Sequence, residues 1–190
     1  METIEHRITP WKNPSEWLKV HDIIFKSKDF SLANRKINIW SARTENLPWA
    51  VSVTQHFLAY KEYKKCRREN VPLIYQNLLI TALSRFVSEA IEKLYKKHHV
   101  NSSMSHLGEK LGIPDWVVQR RHDCVHGKIP VICELEEACR FCWKYLKKIY
   151  WRVQYQSYFQ VSIKKKNQRS PHIQIQEIFY FSNYSLVSNS

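Results

Sequence analysis

Glycine is scarce in this chain, which contains only three among its 190 residues. The phosphate-binding loops of dinucleotide and nucleoside-triphosphate enzymes need several glycines, because the backbone there must approach the phosphate closely. Neither a GxGxxG nor a GxxxxGK(S/T) pattern occurs in the sequence. The scarcity of glycine therefore excludes Rossmann-type and P-loop enzymes.

Long apolar runs and a secretory leader are missing as well. No stretch approaches the roughly 18 unbroken apolar residues that a membrane-spanning helix needs. The N-terminal residues METIEHRITPWKNPSEW lack the apolar segment of a signal peptide. We therefore expect a protein without a membrane span, located in the cytosol or the nucleus.

The five cysteines are an odd number in a chain without a secretion signal, which favours reduced thiols over disulfides. Cys139 and Cys142 have the CxxC spacing of a zinc or redox site. They lie inside a helical pattern, ELEEACRFCWKYL, and no second pair of ligands stands at a matching distance. We predict that both thiols pack in the apolar core, as free cysteines commonly do.

The chain is strongly basic, with 30 Lys and Arg residues against 17 Asp and Glu and a formal net charge of +13. Only four of the basic residues and one of the acidic residues fall after residue 153, so the excess charge belongs to the main domain. Such a surface attracts polyanions, among which nucleic acid is the natural candidate. The apolar fraction of 44% indicates a folded core.

Proline, asparagine and glycine mark the ends of seven predicted helices. They span about residues 14–27, 32–43, 48–65, 72–97, 105–112, 114–127 and 130–151. The fourth has the widest apolar face, which includes Leu73, and is the predicted core helix. In the second, the spacing places Leu32, Ile39 and Trp40 inward. The predicted fold class is all-α, a helical bundle.

After residue 153 apolar and polar residues alternate, as in QVSI and HIQIQEIF, which is typical of strands. A ribbon of two strands is only marginally stable by itself in water. We therefore divide the chain into a helical domain, residues 1–153, and a basic C-terminal tail, residues 154–190. The tail is predicted to be partly disordered or loosely docked.

The hexad RHDCVH, residues 121–126, ends the sixth predicted helix. His122 and His126 are four residues apart, so their imidazoles share one face of the helix, and Arg121 flanks that face. Three interpretations remain open. The histidines could be zinc ligands together with Cys124, hydrogen-bonded structural groups at a helix end, or an acid–base pair assisted by the guanidinium.

The third interpretation suits the cleavage of RNA. A base must take the proton of the 2′-hydroxyl, an acid must protonate the departing 5′-oxygen, and a cation must stabilise the extra charge on the phosphorane. The ordinary pKa of histidine, about 6.5, suits both proton transfers, and the guanidinium of arginine contacts two phosphate oxygens at once. These side chains could therefore cleave RNA without a metal ion.

The segment LGIPDWVVQRRHDCVHGKIP, followed by a helix that ends in KKIYW, resembles the HEPN domain of the Las1 family of ribosome-biogenesis endoribonucleases. The stretches NRKINIWSAR, LPWAVSVTQHFL and LLITALSRFVSEAIE occur in the order that the family has. The resemblance covers about residues 11–152. It implies a HEPN-type helical bundle that acts as a nuclease.

The resemblance further implies a metal-independent endoribonuclease without a cofactor, in which Arg121 holds the phosphate and His122 and His126 supply the base and the acid. Its substrate would be internal transcribed spacer 2 of pre-rRNA, and its location would be the nucleus, in the nucleolus. The cut would leave 2′,3′-cyclic phosphate and 5′-hydroxyl ends. Its partners would be a second copy in a homodimer and a polynucleotide 5′-hydroxyl kinase. The alternative is a noncatalytic RNA-binding or scaffold protein of pre-ribosome assembly.

Overall fold

The sequence folds into helices along its length. The computed structural model describes residues 9–66, 72–98 and 103–167, the last few residues of the second and third ranges by their backbone only. Within these ranges the α-helices are α1 (Pro14–Asp22), α2 (Phe30–Arg43), α3 (Trp49–Lys65), α4 (Pro72–His98), α5 (Met104–Lys110), α6 (Asp115–Val125), α7 (Ile132–Leu146) and α8 (Arg152–Asn167). A π-helical turn extends α1 over Ile23–Ser27, and another joins α7 to α8 over Lys147–Trp151. No strand occurs among these residues, and the predicted all-α fold is confirmed.

The starts of the helices follow the local sequence. The side-chain oxygen of Asn13 accepts a hydrogen bond from the Glu16 N–H at 2.9 Å, and Pro14 occupies the first helical position, where a missing N–H costs nothing. Asp29 and Ser103 cap α2 and α5 in the same way. Each cap satisfies an N–H group that a helix leaves unpaired at its start.

Helix α4 forms the centre of the bundle, because α3, α6 and α7 all pack against it. The largest side chains with no exposed surface are aromatic, namely Trp17, Trp40, Phe57, Phe86 and Trp151. The indole N–H of Trp151 donates to the hydroxyl of Thr54 at 2.9 Å, so this buried polar pair is satisfied. Cys139 and Cys142 on α7 are fully buried free thiols, which confirms their predicted place in the core.

The inward face of α2 differs from the predicted one. Its buried residues are Ala33, Ile37 and Trp40, which follow the i, i+4, i+7 spacing of a single helical stripe. Ile39 lies off this stripe and is 44% exposed, so its predicted inward position is wrong. The inward prediction for Leu73 is wrong as well, since this residue is 63% exposed in the first turn of α4.

Helix α8 runs across residue 153, where we predicted the domain to end. Tyr158 in this helix is buried, and its hydroxyl accepts a hydrogen bond from the indole N–H of Trp11 at 2.9 Å. The strand-like interpretation of QVSI, residues 160–163, is wrong because these residues are helical. The rest of the predicted tail, residues 168–190, lies outside the described residues.

The chain divides into two units, Met1–Tyr158 and Phe159–Ser190. The first contains α1 to α7 and the beginning of α8, and the described part of the second is the remainder of α8. Over the residues with a described structure, no helix combines the length and the apolar composition that crossing a membrane requires.

His21, on α1, lies in an aromatic cluster of the first unit. Its ring centroid is 4.5 Å from that of Tyr155, 4.9 Å from that of Phe25 and 5.6 Å from that of Trp17. Burial among these rings lowers the pKa of the imidazole, and the carboxylate of Asp22, 3.1 Å from Nδ1, opposes this effect only in part. The folded protein therefore favours the neutral imidazole.

We expect the folded state to lose stability as the pH falls below about 6.5, the ordinary pKa of histidine. Between the lowered pKa of folded His21 and that value the unfolded chain binds more protons, so the free energy of unfolding rises with pH. His21→Phe keeps a ring in the cluster and removes the titrating group. It should flatten the pH dependence of the thermal midpoint, measured between about pH 5 and pH 7.5.

The matched control is His106→Phe, at an exposed histidine on α5. This variant should keep the pH dependence of the wild type. The same slope in wild type and His21→Phe would show that the neutral form of His21 contributes nothing to stability.

Candidate active site

Helix α6 carries the RHDCVH hexad and ends within it. Val117 is fully buried and holds the helix in the bundle, where α4 and α5 pack against it. The helix ends at Val125, and Gly127 follows with a φ of +83°, a left-handed conformation that suits glycine. The Lys128 N–H donates to the Asp123 carbonyl at 3.0 Å, as in a Schellman ending. The hexad is therefore held at a sharply terminated helix end.

The imidazoles of His122 and His126 lie against each other at the surface. Their ring centroids are 4.1 Å apart with an angle of 39° between the ring planes, and both residues are exposed. His126 is the C-cap of α6, and its backbone N–H donates to the His122 carbonyl at 3.0 Å. The structure thus brings the two predicted histidines together on one accessible face.

Arg121 lies half-buried between α6 and α4. Its Nη2 donates to the hydroxyl of Ser88, on α4, at 3.1 Å, whereas its Nε is buried and has no hydrogen-bond partner. No carboxylate in the described ranges forms an ion pair with it. The site therefore contains a half-buried guanidinium without a counter-ion, adjacent in the helix to the histidine pair.

The preceding arginine is bound differently. Arg120 forms ion pairs with Glu134 at 2.7 Å and with Asp123 at 3.4 Å. Because Glu134 lies in the first turn of α7, Arg120 fastens the end of α6 to α7. Of these two neighbouring arginines, Arg120 is neutralised by carboxylates and Arg121 is not.

Cys124, the third ligand of the zinc interpretation, is half-buried. Its burial raises the pKa of the thiol, whereas a zinc ligand must be a thiolate. Across the described residues, no three His, Cys, Asp or Glu side chains are grouped as ligands of one metal ion. The described residues therefore do not assemble a set of zinc ligands around Cys124.

Ser88 is absent from the predicted site. It precedes Arg121 by 33 positions in the chain, and only the packing of α4 on α6 joins the two side chains. The one signal in the sequence is a pair of serines, Ser84 and Ser88, one helical turn apart in the predicted core helix.

Comparisons with known proteins identify the family to which this chain is similar. A family model described as Las1-like matches residues 9–153, a range that includes the whole hexad. A protein of Mus musculus, described as ribosomal biogenesis protein LAS1L, is 30% identical over 152 residues. The matched region covers 76% of this chain and 19% of the mouse protein, so the chain spans about a fifth of the length of that relative.

Proposed function

This chain belongs to the Las1-like family, and from that premise we propose that it is a metal-independent endoribonuclease of ribosome biogenesis. It cuts internal transcribed spacer 2 of pre-rRNA in the nucleolus. The cut leaves a 2′,3′-cyclic phosphate and a 5′-hydroxyl, the end on which a polynucleotide 5′-hydroxyl kinase acts as partner. The site is of the HEPN type, with Arg121, His122 and His126 as catalytic residues.

One observation carries this proposal: Arg121, whose half-buried guanidinium has no carboxylate partner among the described residues, is next in the helix to His122, and the exposed imidazoles of His122 and His126 are in contact. A charge that is partly removed from water costs free energy unless an opposite charge accompanies it. Arg120 and Arg43, which are also partly buried, are both paired with carboxylates. A phosphate of the substrate would supply the counter-charge that Arg121 lacks.

The two histidines can carry both proton transfers of the reaction. A neutral imidazole takes the proton of the 2′-hydroxyl as this oxygen attacks the phosphorus, and a protonated imidazole gives its proton to the 5′-oxygen as the P–O5′ bond breaks. Arg121 stabilises the negative charge that builds up on the non-bridging oxygens. None of these steps requires a metal ion.

The spacing of the rings supports a homodimer. The attacking and departing oxygens lie on opposite sides of the phosphorus, so the base and the acid must approach it from opposite sides. The rings of His122 and His126, 4.1 Å apart, are in van der Waals contact and leave no space for a phosphate between them. One chain therefore presents both imidazoles to the same side, and a second copy would supply the pair on the other side.

Exposed apolar side chains lie at the end of the hexad, in the segment after it and in the first turn of α4, and they offer a surface for that second copy. This apolar rim consists of Val125, Ile129, Val131, Leu73 and Ile74, which are each between 47% and 63% exposed. The Gln76 amide donates to the Pro130 carbonyl at 3.0 Å and so ties the first turns of α4 to the segment before α7. Exposed apolar clusters of this kind mark protein interfaces.

We expect Val131→Asp to separate the dimer and to abolish cleavage together with it, because a carboxylate in an apolar interface loses its hydration without gaining a partner. Light scattering at a fixed concentration should give the mass of two chains for wild type and of one chain for the variant. Ile39→Asp, at an exposed isoleucine on α2, is the matched control and should keep both mass and activity. A wild type that cleaves RNA as a single chain would contradict the dimer.

The test of the function is incubation of the purified protein with spacer RNA in EDTA, followed by analysis of the product ends. We expect cleavage, with cyclic phosphate and 5′-hydroxyl ends, by wild type and a large loss in His126→Ala. Equal cleavage by both proteins would show that the site is assigned wrongly. RNA binding that weakens with salt but gives no new ends would favour the noncatalytic scaffold.

A further inference from the structure

We infer that Ser88 is a positioning residue that fixes which edge of the Arg121 guanidinium faces the scissile phosphate. The inference rests on the proposed function and extends it to the neighbouring helix α4. Its basis is the contact between Arg121 Nη2 and the Ser88 hydroxyl, at 3.1 Å, together with the buried and unpartnered Nε of the same guanidinium.

A guanidinium can donate two parallel hydrogen bonds to an oxyanion, and two of its edges offer such a pair of N–H groups. The side edge is formed by Nε and Nη2, and the end edge by Nη1 and Nη2. In Arg121 the Nε is buried and the Nη2 is bonded to Ser88, so the side edge is turned toward the protein. Nη1 forms no hydrogen bond with any residue that the structure describes, and it is not one of the buried atoms that lack a partner. The end edge is therefore the one open to a phosphate.

The chemical nature of the partner matters as much as its position. A carboxylate in the place of Ser88 would orient Arg121 but would also compete with the phosphate for the positive charge, as Glu134 and Asp123 do for Arg120. A hydroxyl is neutral, so it can accept the hydrogen bond from the guanidinium and leave the positive charge of Arg121 intact. Ser88 can therefore hold the guanidinium in place without neutralising it.

Prior orientation of the arginine should favour the transition state. A free arginine side chain loses rotational freedom when it binds an anion, and an interaction that is already ordered avoids this loss. If the Ser88 hydroxyl holds the guanidinium where charge develops on the phosphorane, removal of the hydroxyl affects the chemical step more than the binding of RNA. We therefore expect an effect mainly on kcat.

The experiment compares wild type with Ser88→Ala, Ser88→Thr and Ser84→Ala in the full chain. Ser84 is the matched control, because it lies one turn earlier on α4 and its buried hydroxyl has no hydrogen-bond partner. We expect Ser88→Ala to lower kcat about tenfold or more while KM changes little, since a hydrogen bond to a charged group is lost. Ser88→Thr, which restores a hydroxyl, should recover most of kcat, and Ser84→Ala should behave as wild type.

A second measurement uses substrates with one non-bridging oxygen of the scissile phosphate replaced by sulfur. If Arg121 is held in one orientation, wild type should discriminate between the two diastereomers, and Ser88→Ala should lose most of that discrimination. A change in packing alone would slow both diastereomers equally. Wild-type kcat and discrimination in Ser88→Ala would overturn the inference, and so would an equal loss in Ser84→Ala.

Nitrogen NMR of the arginine side chains separates this inference from the proposed function. The Arg121 guanidinium should show hindered rotation in wild type and Ser84→Ala, and free rotation in Ser88→Ala. If wild type failed to cut RNA, the proposed function would fail, and this measurement would still decide whether Ser88 orients Arg121. Unhindered rotation in wild type would overturn the inference whatever the activity.

Discussion

Replacement of His126 by alanine should lower the rate of RNA cleavage by about 10²- to 10⁴-fold, the range typical for the loss of a group that transfers a proton in the transition state. The measurement is single-turnover cleavage of spacer RNA in EDTA, with the enzyme in excess. The same substitution at His122 should have an effect of similar size, because in the proposed mechanism one of these two residues is the base and the other is the acid.

The fold should survive this change. His126 is exposed, and the hydrogen bond that caps α6 comes from its backbone N–H, which alanine retains. An exposed substitution of this kind changes the free energy of unfolding by about 0.5 kcal/mol or less. The thermal midpoint should therefore remain close to that of wild type, so lost activity cannot be ascribed to unfolding.

His106→Ala is the matched control for this experiment. His106 is an exposed histidine on α5 and lies outside the hexad. It should cleave RNA at the wild-type rate. If His106→Ala lost as much cleavage as His126→Ala, histidine substitutions would disturb the protein in general. The assignment of His122 and His126 as catalytic residues would then be wrong.

Replacement of Arg121 by alanine should lower the cleavage rate by about 10²- to 10³-fold, the usual cost of removing one group that stabilises a developing oxyanion. The affinity for RNA should change much less, because the net charge of +13 provides many other phosphate contacts. Loss of one phosphate contact should reduce the slope of log affinity against log salt by about 1.

Two further variants make this comparison specific. Arg121→Lys keeps the charge but loses the planar, paired contact, so its activity should remain well below that of wild type. Arg35→Ala removes an exposed arginine from α2 and should leave the cleavage rate unchanged. If Arg121→Ala weakened binding and cleavage by the same factor, Arg121 would only hold the RNA and would not stabilise the transition state.

Local sequence was sufficient to predict where most helices begin and end. Asn13, Pro14 and Gly127 act through the conformation and hydrogen bonds of their own segment, which a sequence pattern captures directly. The side of a helix that becomes buried depends on its neighbours. For this reason the spacing predicts an inward Ile39, whereas this residue lies exposed beside the buried stripe of α2.

The candidate site was predictable to a similar extent. The contact between the imidazoles of His122 and His126 follows from their spacing of four residues on one helix. The unpaired state of Arg121 and its contact with Ser88 depend on how α4 packs against α6, and no local pattern contains that information. The adjacent Arg120, identical in type, turned out to be neutralised by carboxylates.

The C-terminal segment shows how a weak pattern misleads. The alternation in QVSI is short, and the aromatic spacing of Trp151, Tyr155 and Tyr158, at i, i+4 and i+7, continues the preceding helix into it. Tyr158 is buried in the first unit, so tertiary contacts favour helix up to that point. The helix then continues through QVSI despite the strand preference of its residues.

The left-handed turn at Gly127 separates the segment that carries the two imidazoles from the apolar segment that follows it. The end of α6 before it sets the spacing of the two imidazoles, and the irregular segment after it, with Ile129 and Val131, forms part of the exposed apolar rim. Changes of length or composition after the glycine can therefore alter this exposed apolar surface while the two imidazoles of one chain keep their spacing. Cleavage by the proposed homodimer would need both parts, since assembly through the second segment brings together the imidazole pairs that the first one spaces.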